Sequence, residues 1–209
     1  MKRVKQKARS RKIGRGWQRK AHATYGLIGL NLLCFALEMA SGGSENLDTL
    51  YRLGGLVPPD VWAGQWWRLL NANFLHFGWF HLLTNMIGLY VLGAFVESYL
   101  GTGRYLLAYF VSGVGAMFVF SLLAMKAGNT EQILVGASAA IMGLLGVAIA
   151  IFLRDCYQEK SSFAARRLRS IFLIIGLQFA FDLADPQVSF LSHVLGLMIG
   201  FMTGILLLI

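Results

Sequence analysis

Charged side chains are scarce in this 209-residue chain, at 14% of the total, where a soluble domain carries roughly 25%. That shortage, beside 56% hydrophobic residues and a mean hydropathy of +0.60, excludes a fold solvated on every side. Proline occurs three times and cysteine twice. Cys34 lies in an apolar run and Cys156 in a charged loop, and neither spacing nor placement suits a disulfide framework or a zinc site. Strand alternation of the outer-membrane barrel kind is missing, as is an internal repeat of the transporter type. What remains is a polytopic helical membrane protein.

Acidic residues are absent from positions 1–23, which hold ten of the 19 basic ones. The arm has no apolar run of its own and no small-residue cleavage site after it, so it is not a signal peptide. A net charge of +9 also fits an RNA-binding tail. Here the arm abuts a hydrophobic helix, which favours a cytoplasmic segment that fixes orientation and touches anionic lipid. No nucleic-acid partner is expected. The chain divides into this arm, 1–23, and a membrane domain, 24–209.

Runs of about 17–25 apolar residues are candidate spans. Six are read: Thr24–Ala40, Trp79–Leu100, Arg104–Met125, Gly136–Leu153, Ser170–Ala184 and Phe190–Ile209. The fifth is short and contains Asp182. Backbone groups in lipid must satisfy one another, so each is a helix. With the N-terminus inside, the inner segments hold sixteen Lys or Arg and the outer ones three, Arg52, Arg68 and Lys126. That asymmetry sets the orientation. The long outer segment 41–78 carries Trp62, Trp66 and Trp67, side chains suited to the headgroup level, and is expected to form short interfacial helices. Val57-Pro58-Pro59-Asp60 reads as a turn leading into one of them.

Polar groups inside spans are costly and usually functional. His81 and Asn85 stand four apart early in span two and share a helix face. Ser138 lies in Gly136-Ala137-Ser138-Ala139-Ala140 at the start of span four, and His193 opens a pattern with Gly196, Gly200 and Gly204 in span six. Spans two, four and six all run inward from the outer face, so His81, Ser138 and His193 reach one shallow level, roughly 3–5 Å deep at about 1.5 Å per residue. The glycines of span six and Ala139, Gly143, Gly146 and Ala150 of span four let two backbones approach closely. A serine and a histidine brought together in this way form the minimum arrangement for an activated nucleophile. Imidazole takes the hydroxyl proton and returns it to the leaving amine. Nothing in the sequence ties Asp182 or Asp185 to His193, so a dyad rather than a triad is expected.

These residues resemble the rhomboid family of intramembrane serine proteases. His76-x4-His81-x3-Asn85 is similar to that family's span-two signature, Gly136-x-Ser138 to its nucleophile motif, and His193-x2-Gly196-x3-Gly200 to its general-base helix. Trp67-Arg68 and Glu97 also fit, and the likeness covers about residues 55–209. The resemblance implies a six-helix bundle with a Ser138–His193 dyad. It also implies an oxyanion site from His81, Asn85 and the Ser138 amide, with His76 auxiliary in the same cavity. It implies cleavage of membrane-anchored proteins near the outer membrane border, and lateral access gated by span five and the loop after it. No cofactor is expected, and no metal, because a third histidine would have to come from a distant helix with no acidic companion. Trp67-Arg68 would anchor the first loop in the membrane. Six spans with an inside N-terminus point to a bacterial plasma membrane, with organellar relatives as the alternative.

Two positions depart from the family pattern. Ala139 stands where glycine usually follows the serine, and Met142 where an aromatic usually packs on the catalytic imidazole. They favour the alternative reading, a catalytically weak or inactive rhomboid-like binder that escorts or retains membrane helices. Retention of both Ser138 and His193 favours the protease. Glu97 and Arg104 flank the inner turn and are expected to serve structure or topology.

Overall fold

A computed structural model describes residues 21–128, 131–184 and 189–209. The basic arm lies outside the described residues except for its last three positions, as does Asp185. The described residues form helices α1 (His22–Ala40), α2 (Leu47–Leu53), α3 (Pro58–Trp62), α4 (Arg68–Asn71), α5 (Gly78–Leu100), α6 (Thr102–Ala127), α7 (Ser138–Glu159), α8 (Ser162–Ala184) and α9 (Phe190–Leu208). Five of these, α1, α5, α6, α7 and α9, are long and apolar enough to cross a membrane. The expected fifth span is the apolar part of α8. That helix starts eight residues before the anticipated boundary, and Arg166, Arg167, Arg169 and Asp182 bracket its apolar stretch. Hydropathy marks only what lipid can cover, whereas backbone hydrogen bonding continues past it.

α7 is the central rod, with most of its residues buried. One apolar cluster joins it to α1, α5 and α6 through Leu27, Leu89, Tyr105, Tyr109, Leu144 and Ile151. A second joins it to α8 through Met142, Leu145, Ile149, Leu168, Ile171 and Ile175. Against α9 the contact is backbone to backbone. A Cβ added at Gly196 would strike the Ala139 carbonyl, one at Gly200 the Gly143 backbone, and one at Gly146 the Leu197 carbonyl. The two small-residue stripes read from the sequence therefore meet face to face. In lipid, where apolar surface gains little from burial, such close approach is the main source of helix association.

The first long loop contains the expected short helices. Asn46 caps α2 by accepting from the Asp48 and Thr49 amides at 2.9 and 3.3 Å, and Pro58 opens α3 where its missing N–H costs nothing. Arg68 organises this loop from within. Its guanidinium donates to the Tyr51 and Gly55 carbonyls, both at 2.8 Å, and to Gln65 Oε1 at 2.7 Å. It also pairs with Asp60 at 3.5 Å and lies over the Tyr51 and Trp67 rings. Arg68 is buried, so its part of the Trp67-Arg68 pair braces the loop; Trp67 is the exposed member. Trp62 and Trp66 pack on each other and on Phe118 of α6.

Two buried carboxylates tie α1 to the rest. Glu97, near the end of α5, accepts from the Ala23 and Thr24 amides, the Thr24 hydroxyl and the Thr102 hydroxyl at 2.8–3.1 Å. It thus supplies the acceptors that the first turn of α1 lacks within itself, the structural role expected of it. At the other end of α1, Glu38 accepts from the His76 amide at 3.1 and 3.3 Å. α5 contains a π-helical turn at Leu89–Gly93, where a Cβ on Gly93 would meet Thr24 and the Tyr105 hydroxyl at 2.9–3.0 Å.

Candidate active site

Ser138 owes its position to the first loop. Leu56 and Leu134 exchange backbone hydrogen bonds, both at 2.9 Å, and the Gly136 amide donates to the Ala72 carbonyl at 2.8 Å. Arg68 holds Gly55, the neighbour of Leu56, so its grip extends along the pinned segment to the start of α7. Gly136 turns the chain with φ +125°, a conformation that side chains rarely adopt. A Cβ there would also stand 2.7 Å from His81 ring atoms and 3.4 Å from Ser138 Oγ. Glycine is needed at this position for both backbone and space. α7 begins at Ser138 itself, two residues later than the hydropathy boundary, so the serine amide belongs to the unpaired first turn of a long helix.

His193 sits in the first turn of α9. Ser189 caps that helix, accepting from the Ser192 amide at 3.3 Å, while the Ser192 hydroxyl donates to the Ser189 carbonyl at 2.8 Å. One turn further on, Gly196 contacts Ala139, so the close seam lies directly beneath Ser138 and His193. Both line one cavity of about 620 Å³, together with His81, Thr84, Glu45, Trp79, Phe80 and Phe181. Residues far apart in the chain thus open on a shared cavity whose largely apolar lining carries a few polar groups.

The other expected site residues lie around this cavity. His81 stands against Gly136 on its wall. Asn85 is buried one turn below and donates to the His81 carbonyl at 2.9 Å, so its amide is engaged within its own helix. His76 is fully buried behind His81, the rings edge to face at 5.2 Å, and does not line the cavity itself. Burial, then the neighbouring His81, pushes the His76 imidazole down to about 3, which leaves it neutral near pH 7. Ala139 is buried with its backbone against Gly196. Met142 belongs to the apolar cluster between α7 and α8.

The expectation that no carboxylate meets His193 is corrected by the structure. Asp182 Oδ2 lies 2.7 Å from His193 Nδ1, and Gln178 Nε2 donates to Asp182 Oδ1, also at 2.7 Å. A signal was present in the sequence, since Gln178 and Asp182 are a polar pair at i, i+4 on the apolar stretch of α8. Glu38 was also missed. Its partner is a backbone amide, which no side-chain pattern reveals.

A family model for the Rhomboid domain matches residues 63–209. The chain is similar to rhomboid protease GluP of Bacillus subtilis (strain 168), 34% identical over 181 residues, or 85% of this chain and 33% of that protein. It is similar to RHOMBOID-like protein 6, mitochondrial, of Arabidopsis thaliana, 36% identical over 162 residues, or 77% of this chain and 50% of that protein. A third relative, putative rhomboid protease YdcA of Bacillus subtilis (strain 168), is 28% identical over 160 residues, or 76% of this chain and 72% of that protein. The chain spans a third to a half of the length of the first two. It is an integral membrane protein, and it belongs to the rhomboid family.

Proposed function

We propose that the chain is an intramembrane serine endopeptidase that cuts membrane-anchored proteins close to the outer border of the membrane. The observation that carries this reading is the opening of Ser138 and His193, from two tightly packed helices, onto one cavity that His81 also lines. Ser138 Oγ attacks the scissile carbonyl and its proton passes to His193 Nε2. The imidazolium then gives that proton to the leaving amine, and water repeats the sequence on the acyl-enzyme. The Ser138 amide and the His81 ring are the donors for the oxyanion, each such donor being worth roughly 2.7–4 kcal/mol of barrier. Asn85 joins them once its amide turns from the His81 carbonyl. Trp79, Phe80 and Phe181 of the cavity lining suit a substrate helix arriving from lipid.

The N-terminus is on the cytoplasmic side of this reading, which puts the cavity at the outer face of a bacterial plasma membrane. Its partners are single-span protein substrates and the bilayer.

The test is cleavage of a single-span substrate by the purified protein in liposomes. Wild type should cut, and Ser138→Ala and His193→Ala should each lower the rate by a thousandfold or more. Cleavage that survives both substitutions removes the mechanism. A wild type that binds the substrate helix without cutting assigns the fold to helix binding, the reading that Ala139 and Met142 favour.

A further inference from the structure

The contact between α8 and α9 at the cavity has a chemical meaning beyond packing. Asp182 is buried, with both carboxylate oxygens engaged: Oδ1 accepts from Gln178 Nε2 at 2.7 Å, and Oδ2 faces His193 Nδ1 at 2.7 Å. An ionised carboxylate can only accept. A neutral His193 ring facing such a carboxylate carries its proton at Nδ1, and its Nε2 keeps the lone pair. We propose that Asp182 is a positioning residue for His193: with Gln178 behind it, it fixes the imidazole as the Nδ1–H tautomer and holds Nε2 ready to accept the Ser138 proton.

The geometry favours this over a simple helix-to-helix tie. A bond made only to join α8 to α9 could end on any polar group of α9, and Ser192 stands beside His193 with its hydroxyl turned to its own helix. The carboxylate instead meets the ring nitrogen opposite the one that general-base chemistry uses. Gln178 sits one turn along on the same helix, so one oxygen is already satisfied and the carboxylate plane is set. The base is thus oriented by a helix that contributes neither the nucleophile nor the base.

The kinetic consequence rests on the serine-protease reading; the tautomer does not. The chain has four histidines, so ring 15N labelling of the whole protein in nanodiscs resolves His193, identified by its loss in His193→Gln. Wild type should show His193 with Nδ1 protonated, and Asp182→Leu should show a mixture of tautomers. In the substrate assay Asp182→Leu should lose tenfold to thousandfold in kcat with KM changed by less than about threefold, and Asp182→Glu should recover part of that loss. Asp182→Asn keeps the volume and serves if the leucine variant does not fold; its kcat should fall in the same range.

An unaltered Nδ1–H signal in Asp182→Leu overturns the proposal. So does a rate loss confined to KM, which would make Asp182 a determinant of substrate access. Should wild type show the Nδ1–H signal, lost on substitution, yet cut nothing, the positioning role stands and the protease reading fails.

Discussion

α8 and α9 both pack on α7, and they do so by opposite means. α9 meets it through glycine, with backbones so close that Gly196, Gly200 and Gly146 have no room for a Cβ. α8 meets it through side chains, Leu168, Ile171 and Ile175 against Leu145 and Ile149, while its own Gly176 has nothing within 4 Å. Phe172, Leu173, Ile174, Leu177 and Leu183 of α8 remain exposed, so much of its surface is left to lipid. A backbone seam tolerates little displacement, because dispersion falls steeply over fractions of an ångström. A side-chain seam can slide between rotamers. Ser138 and His193 ride on the rigid seam, and Asp182, which meets the His193 ring, rides on the looser one.

The most severe way to break this contrast is Gly200→Ala. The added methyl falls on the Gly143 backbone, which cannot move aside as a flexible side chain would. The helices must separate along the line that holds Ser138 and His193 together. We expect a loss of about 3 kcal/mol or more, at or beyond the usual range for overpacking, measured by unfolding in mixed micelles. Retained stability would mean that the α7–α9 seam is softer than its geometry indicates.

Ile175→Ala probes the other seam. It removes buried apolar contact without touching a backbone, and the lipid-exposed surroundings let the site partly collapse. About 2 kcal/mol is expected, the lower end for such truncations. Local hydrogen exchange should rise in α8 and stay unchanged in α9. An equal rise in both would show one cooperative unit and erase the distinction.

This division was partly legible in the sequence. Hydropathy marked the spans, and the spacing of Gly196, Gly200 and Gly204 against Ala139, Gly143, Gly146 and Ala150 foretold the close seam, because small residues at helical spacing have few uses in lipid other than close approach. Ser138, His81 and His193 stood out as polar groups where polarity is expensive. For Asp182 the sequence showed a polar pair with Gln178 but not the partner it meets. That contact depends on how α8 lies against α9, and side-chain packing on an apolar helix leaves no unique register to read. The grip of Arg68 on the Tyr51 and Gly55 carbonyls, and of Glu38 on the His76 amide, escaped for a related reason: each ends on a backbone group that every residue possesses. The π-helical turn in α5 has no compositional mark at all.

The mildest test is Gly176→Ala. Glycine inside a helix costs roughly 0.5–1 kcal/mol relative to alanine, because it has more backbone freedom to lose on folding. At Gly176 no contact opposes the methyl, so the substitution should stabilise the protein, by up to about 1 kcal/mol. Its twin at Gly200 has the same intrinsic gain and the opposite outcome, so the difference between the two variants isolates the steric term of the α7–α9 seam from helix propensity. If Gly176→Ala proves destabilising by as much as Gly200→Ala, some other surface must occupy that face of α8 in the membrane. A second copy of the chain would be the first to look for, by crosslinking across position 176.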